Sequence, residues 1–349
     1  MHNNLLLGVN FHGFKCAAYQ NRPSTPEPPN GYIDDSFRTF SQAGIKCIRF
    51  PVYWESYEKS PEDFNEEIDE VSDAADKYDI SCIFDNHQWE CSSYLGYGIG
   101  FPSSTLSQSF QRNHLQENSQ NPPSHEDLEK FWNRWWDNEL RNSDGKTGWD
   151  VQLEYFKSII KRVNHKKSTL GFEILNEPQV FRQGDFKNVG SYHEYIMRNL
   201  NTITDKVLFL CYTNSASINA INLPTEQANT IPSDNELRKK IIYDVHPYPP
   251  SFLLMEYYKI LSSIIDNIPL FVGEFNAGIK KGVTINEKQF NDYIKRLKDF
   301  TVYGSAFWEW SYVPDAEHPA FNLTQIHNNK IYPNDSFESF VKAIKENSN

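Results

Sequence analysis

Apolar residues recur along this chain in two alternating rhythms. Nearly unbroken runs of Val, Ile, Phe and Leu fall near residues 5–12, 45–53, 80–87, 169–176, 207–213, 241–247, 268–275 and 304–310, with the length and content of strands buried on both faces. Between them the apolar spacing widens to three or four. Phe64, Ile68, Val71, Ala75 and Tyr78 form one such stripe, behind a capping-box-like Ser60-Pro61-Glu62-Asp63. Leu153, Phe156, Ile160 and Val163 form another, followed by Phe290, Tyr293, Ile294 and Leu297, and by Phe337, Phe340, Val341 and Ile344. Residues 214–235 are polar and carry two prolines, so only a short or irregular helix is expected there.

Apolar strands alternating with helices predict a parallel sheet covered by helices, and eight such units favour an α/β fold closed into a (β/α)8 TIM barrel. No repeat or low-complexity linker divides residues 1–349, which are expected to form a single catalytic domain. An insertion at about 90–150 follows the third strand and carries "FWNRWWDNEL", read as an amphipathic helix burying Phe131, Trp132 and Trp135. The other irregular segments are "NRPSTPEPPNGY" after the first strand and about 312–334 after the eighth.

Composition narrows the partners. Of the 349 residues, 39% are hydrophobic and 15% aromatic, enough for a substantial core. The 46 acidic against 34 basic residues give a net charge of -12, which repels phosphate polymers and anionic lipid, so no nucleic-acid partner is expected. There is no run of eighteen apolar residues to span a membrane. The first apolar run, "LLLGVNFHG", is too short and polar-ended for a signal peptide and reads as a core strand. Localisation stays open between a secreted protein whose leader has been removed and a cytoplasmic one. Cys16, Cys47, Cys82, Cys91 and Cys211 are too few and too odd in number for a disulfide framework and read as buried free thiols. Asn322-Leu-Thr and Asn334-Asp-Ser match the glycosylation triplet, a pattern too short to fix a compartment.

In a barrel of this kind the chemistry lies at the carboxyl ends of the strands, where the loops converge over the mouth. The second strand ends in "IRFPVYW", the third in "FDNHQW", the fourth in "LNEP", the sixth in "VHPYP", the seventh in "VGEFNAG" and the eighth in "FWEWSY". Glu177 and Glu274 each close an otherwise apolar strand, three strands apart, and would face each other across the mouth. Such a pair is what glycoside hydrolysis requires: one carboxyl protonates the departing oxygen, and the other attacks or activates water. Glu173 shares the parity of Glu177 and is expected lower in the barrel in a structural pairing. Glu309, opposite in parity to Trp308, is expected to face outward.

The set Arg49, His87, Asn176-Glu177, His246, Tyr248, Glu274 and Trp308, at strand ends and in this order, resembles glycoside hydrolase family 5 in the clan of retaining barrel glycosidases. The resemblance covers essentially the whole chain, thinning at 90–150 and after 312. It implies Glu177 as general acid/base, with its pKa raised by the carboxylate across the cleft, and Glu274 as nucleophile supported by Arg49 and the Tyr248 hydroxyl. It also implies that Asn176 holds the sugar 2-hydroxyl, that His87 and His246 line the site, and that Trp308 is the floor beneath the sugar. Trp54 and Trp89, with Tyr53, Tyr94, Tyr97, Tyr212 and Trp310, lie just past strand ends as further sugar-platform candidates. His87 with Cys91, or His114 with His125, match no recognised metal-ligand spacing, and a retaining mechanism needs no metal or other cofactor.

The expected activity is that of an endo-β-1,4-glucanase or cellulase acting on β-linked oligo- or polysaccharide as a monomer. Mannanases, β-1,3-glucanases and enzymes cleaving glycosphingolipid headgroups belong to the same family, and "FDNHQW" with "LGYGIGFP" resembles the glycolipid-cleaving branch. A carbohydrate-binding barrel without turnover would usually lack one acid, and both are present. A barrel acting on phosphorylated metabolites would carry a Gly-rich phosphate loop late in the chain, which is missing. A bell-shaped pH profile on the acidic side of neutrality is expected, with carboxyls about 5–5.5 Å apart and retention of configuration.

Overall fold

The computed structural model describes residues 5–17, 27–106, 125–214, 223–248, 268–276, 284–312, 322–328 and 330–347. Eight parallel strands close into a barrel: β1 (Leu6–Phe11), β2 (Cys47–Tyr53), β3 (Ser81–His87), β6 (Thr169–Glu173), β7 (Val207–Cys211), β8 (Ile241–Val245), β9 (Leu270–Phe275) and β10 (Gly304–Trp310). They lie in sequence order, and β1 pairs with both β2 and β10. The expected (β/α)8 barrel is therefore the observed one. Two hairpins stand outside it: β4 (Trp89–Ser92) with β5 (Tyr97–Ile99), and β11 (Thr324–His327) with β12 (Lys330–Pro333).

Helices α1 (Tyr32–Ala43), α2 (Trp54–Lys59), α3 (Pro61–Tyr78), α4 (His125–Trp136), α5 (Gly148–Val163), α6 (Asp185–Leu200), α7 (Leu223–Ala228), α8 (Asn235–Arg238), α9 (Glu287–Asp299) and α10 (Asp335–Asn347) accompany the strands. The apolar stripes face inward as expected, with Phe64, Ile68, Val71 and Ala75 of α3 all buried. Pro61 opens α3, but the Ser60 hydroxyl donates to Asp63 Oδ2 at 2.7 Å and caps no backbone N–H. Full capping boxes occur instead at Thr147/Asp150 and Asn286/Gln289. The weak segment at 214–235 yields only the short α7 and α8, with 215–222 outside the described residues. In the insertion, α4 buries Phe131, Trp132 and Trp135, as expected, and Trp136 besides, while 107–124 with His114 lies outside the described residues.

The barrel interior is layered by strand parity. Cys47, Ile83, Phe209, Ile242, Phe271 and Ala306 form an apolar plug, with Phe209 and Phe271 edge to face at 5.3 Å. Two residues further along the same strands stand Arg49, Asp85, Cys211, Asp244 and Gly273, a polar layer sealed from water by the plug below. Gly273 is needed there, since a side chain on it would collide with the Asp244 carboxylate. All five cysteines are buried free thiols. Asn322 of the first glycosylation triplet is buried, its side chain bonded to Ser311 and Thr324. Among the described residues no helix is long and apolar enough to cross a membrane.

Candidate active site

Arg49 is the hub of the polar layer. It is wholly buried, and its Nε and Nη2 grip Glu173 at 2.7 and 2.9 Å. Nη2 also reaches Asp85 Oδ2 at 3.0 Å and Asn176 Oδ1 at 2.6 Å, while Nη1 reaches Asn10 Oδ1 and Glu274 Oε1, each at 3.0 Å. One guanidinium thus orients two strand-end residues from beneath, using its planar fork. Glu173 has the structural pairing expected of it. Burial pushes its pKa well up, with Asp85 and Asp244 adding to the rise against the pull of Arg49. Asp85 moves the other way, because Arg49, His87 and His246 together outweigh its burial.

Glu274 reaches the mouth through an irregularity. Ser305 pairs with Val272 but Phe307 with Phe275, so β9 carries one extra residue around Gly273-Glu274. Such a bulge re-aims a side chain that simple alternation would send elsewhere. The Glu274 oxygens face two donors, Arg49 Nη1 at 3.0 Å and Tyr248 Oη at 2.8 Å. Burial, and then the charges of Glu274 and Glu177, push the Tyr248 hydroxyl well up, so it stays a donor.

Glu177 stands opposite. Its Oε1 lies 2.6 Å from His246 Nδ1 and 3.3 Å from the Tyr212 hydroxyl, and the side chain keeps 20% exposure to solvent. His246 Nδ1 is also 3.7 Å from Glu274 Oε2. One oxygen of each glutamate and a nitrogen of His246 lie within 4.8 Å of one another. The two carboxyls converge on one small space.

The proton balance differs from the sequence expectation. Burial raises the pKa of Glu177, but the hydrogen bond and charge of His246, with the fields of His87 and Arg49, outweigh it and leave the carboxyl below its ordinary value. The imidazole shifts oppositely: burial disfavours its charge, yet Glu274, Cys211 and Asp244 lift it well above the ordinary histidine value. Both shifts favour the ion pair, a carboxylate at Glu177 beside an imidazolium at His246.

His87 Nδ1 meets Asp85 Oδ2 at 2.6 Å, and its Nε2 lies 3.4 Å from Asn176 Nδ2. Asn176 Nδ2 also donates to Gln88 O at 2.9 Å. Trp308 stacks on the His87 ring at 5.6 Å and 19° and meets His12 edge on at 4.8 Å. Arg49, His87, Asn176, Glu177, His246, Tyr248, Glu274 and Trp308 are thus brought together.

Two expectations are corrected. Trp54 does not line the mouth: it begins α2, is buried, and stacks flat on Tyr155 at 5.5 Å and 8°. Glu309 does not face outward. β10 carries an extra residue between Phe307 and Trp310, so Glu309 turns in to meet His12 Nε2 at 2.9 Å while Trp310 packs outward on Phe40 and Phe337. Trp89 is 58% exposed at the start of the β4–β5 hairpin. Sequence reasoning did not single out Asn10, His12, Asp85, Gln88 or Asp244. A polar residue two before His87 or His246 shares its parity, and that is the signal by which Asp85 and Asp244 are recognisable.

The metal-ligating possibilities among the described residues are Glu177, His246 and Glu274 at the mouth and Glu173, Cys211 and His246 beneath it. Both sets share their side chains with the hydrogen bonds above.

No curated protein matches the sequence. Among solved structures, an endogalactoceramidase superimposes with a TM-score of 0.68 at 15% identity, covering 97% of this chain and 80% of that one. Endo-glycoceramidase II from Rhodococcus sp. gives 0.65 at 13% identity, covering 96% of this chain and 78% of that one. The Pseudomonas stutzeri endoglucanase Cel5A gives 0.62 at 16% identity, covering 97% and 93%. At these identities the likeness is one of fold. The sequence itself matches the cellulase family, glycosyl hydrolase family 5, over residues 8–313, which take in all of the barrel but the first two residues of β1 and every residue of the converging cluster. The chain belongs to that family of glycoside hydrolases.

Proposed function

We propose that the protein is a retaining β-glycoside hydrolase with Glu274 as nucleophile and Glu177 as acid/base. The observation that carries this reading is the convergence of one oxygen each of Glu177 and Glu274 and a nitrogen of His246 within 4.8 Å, which lets both carboxyls reach one anomeric centre.

Glu274 attacks carbon as its glycosidic bond to oxygen breaks, and Glu177 delivers a proton to the leaving oxygen. That proton is drawn from the pair with His246 at 2.6 Å. The two donors on Glu274 hold one oxygen each and aim the carboxylate. Once the glycosyl ester has formed, the charge on Glu274 is gone, and Glu177 takes a proton from the incoming water. Asn176 keeps a strong bond to Gln88 O and a long one to His87, and the long one is the contact a sugar 2-hydroxyl would replace. Trp308, stacked on His87, offers its face to the C–H side of the ring.

The substrate we infer is a β-linked glucan, cut as by an endoglucanase. The likeness in fold to enzymes named for glycoceramides supports a second reading, a glycosphingolipid headgroup. A panel of soluble β-glucan, mannan, xylan and a lactosylated ceramide separates the two, and proton NMR of the first product is expected to show the retained anomer. Inversion, or undiminished turnover by Glu274→Ala, contradicts the assignment.

A further inference from the structure

Glu177 occupies a strained backbone position. Its φ is +37°, in the left-handed region that residues bearing a Cβ avoid unless their surroundings over-determine it. Here the surroundings do so with four consecutive carbonyls. The Gln88 side-chain amide donates to Asn176 O at 2.8 Å and Glu177 O at 2.9 Å. The Asn214 N–H, just past β7, donates to Pro178 O at 2.7 Å. The Trp136 indole N–H, from the last residue of α4, donates to Gln179 O at 2.7 Å.

The helix supplying that last bond is itself anchored on both sides. Trp132, one turn earlier, donates its indole N–H to Glu90 O at 2.8 Å and so ties α4 to the β4–β5 hairpin beside Gln88. Asp137, immediately after α4, pairs with Arg182 at 2.8 Å, and Arg182 in turn holds Asp185 at the start of α6. The ring of Trp136 packs on Trp132 at 5.4 Å and on Tyr192 at 5.7 Å. Its rotamer is fixed by packing that does not depend on the N–H.

We infer that α4, the helix of the insertion, is a positioning element for the acid/base, and that Trp136 is a positioning residue whose indole N–H completes a four-carbonyl clamp aiming Glu177 at the leaving oxygen. This rests on the acid/base role of Glu177. It predicts a selective defect. A basic leaving oxygen needs the proton in the transition state, whereas one that departs as a stable anion does not. A mis-aimed Glu177 therefore penalises only the former.

Trp136→Phe keeps an aromatic ring between Trp132 and Tyr192 and deletes the donor. Its kcat/KM on a phenyl β-glycoside is expected to fall about tenfold, with the dinitrophenyl glycoside within about twofold of wild type and KM little changed. Gln88→Met removes two other bonds of the clamp and should reproduce the Trp136→Phe signature, so the test stands even where one variant folds poorly. Equal loss on both substrates, or no loss on either, in both clamp variants overturns the inference. If the wild type hydrolyses neither glycoside, the reading of the active site fails with it. If the wild type turns over and Glu177→Ala loses the phenyl glycoside selectively while the clamp variants do not, this inference alone fails.

Discussion

His193, in the middle of α6, makes acid stability calculable. It is wholly buried, its Nδ1–H donates to Thr230 O at 2.8 Å, and among the described residues Nε2 meets no hydrogen-bond partner. Protonation would place a second N–H in that unpartnered position, so burial pushes the pKa down from 6.5 to about 4 despite the bond to Thr230. Above pH 6.5 the imidazole is neutral folded or unfolded and exerts no pH effect. As pH falls below that value the unfolded chain binds a proton and the folded one does not. Stability is lost until the folded value is reached, and a fall from 6.5 to about 4 corresponds to a loss on the order of 3 kcal/mol. His193→Gln retains a donor for Thr230 and titrates in neither state. Urea unfolding of both proteins at pH 7.5 and 4.5 isolates the residue, because every other titration is common to the two. The variant is expected to be the less stable at pH 7.5 and to gain roughly 2–3 kcal/mol on the wild type at pH 4.5. Parallel stability curves across that interval would show that His193 takes its proton in the folded state and refute the argument.

The Glu177–His246 pair predicts where the alkaline limb of the pH profile lies. One proton must remain on the pair, and it leaves only as pH rises through the raised value of His246, so the limb should fall above pH 6.5. His246→Asn removes the partner that holds Glu177 down. Its kcat/KM profile should lose the alkaline plateau and shift toward acid, and an unchanged limb would show that the pair does not hold the working proton. Trp54 and Trp89 should separate stability from binding. Trp54→Ala empties a core stack and is expected to cost about 3–5 kcal/mol in urea unfolding with KM unchanged. Trp89→Ala at an exposed position should leave the unfolding midpoint alone while raising KM on oligosaccharide, and a normal KM there would remove Trp89 from the substrate path.

The barrel was legible because each strand is a local signal: an apolar run that ends in polar residues needs no knowledge of what lies across the sheet. The same locality located Arg49, His87, Asn176, Glu177, His246, Tyr248, Glu274 and Trp308. Alternation is where locality stopped. Glu274 and Glu309 both lie within one-residue bulges, and those arise from a mismatch in register between two strands, which neither strand carries alone. Trp54 was misread because α2 begins at Trp54 itself and keeps its ring at the helix interface with Tyr155, away from the mouth. The proton was the least legible quantity. A carboxylate opposite Glu177 does argue for a raised pKa, as the sequence suggested, but only if nothing basic intervenes. His246, sixty-nine positions away along the chain, lies between the two acids and takes the charge. The same carboxylate field that would have kept Glu177 protonated instead stabilises an imidazolium beside it. Which residues take part can therefore be read from strand ends, while the division of charge among them follows from distances that only the closed barrel sets.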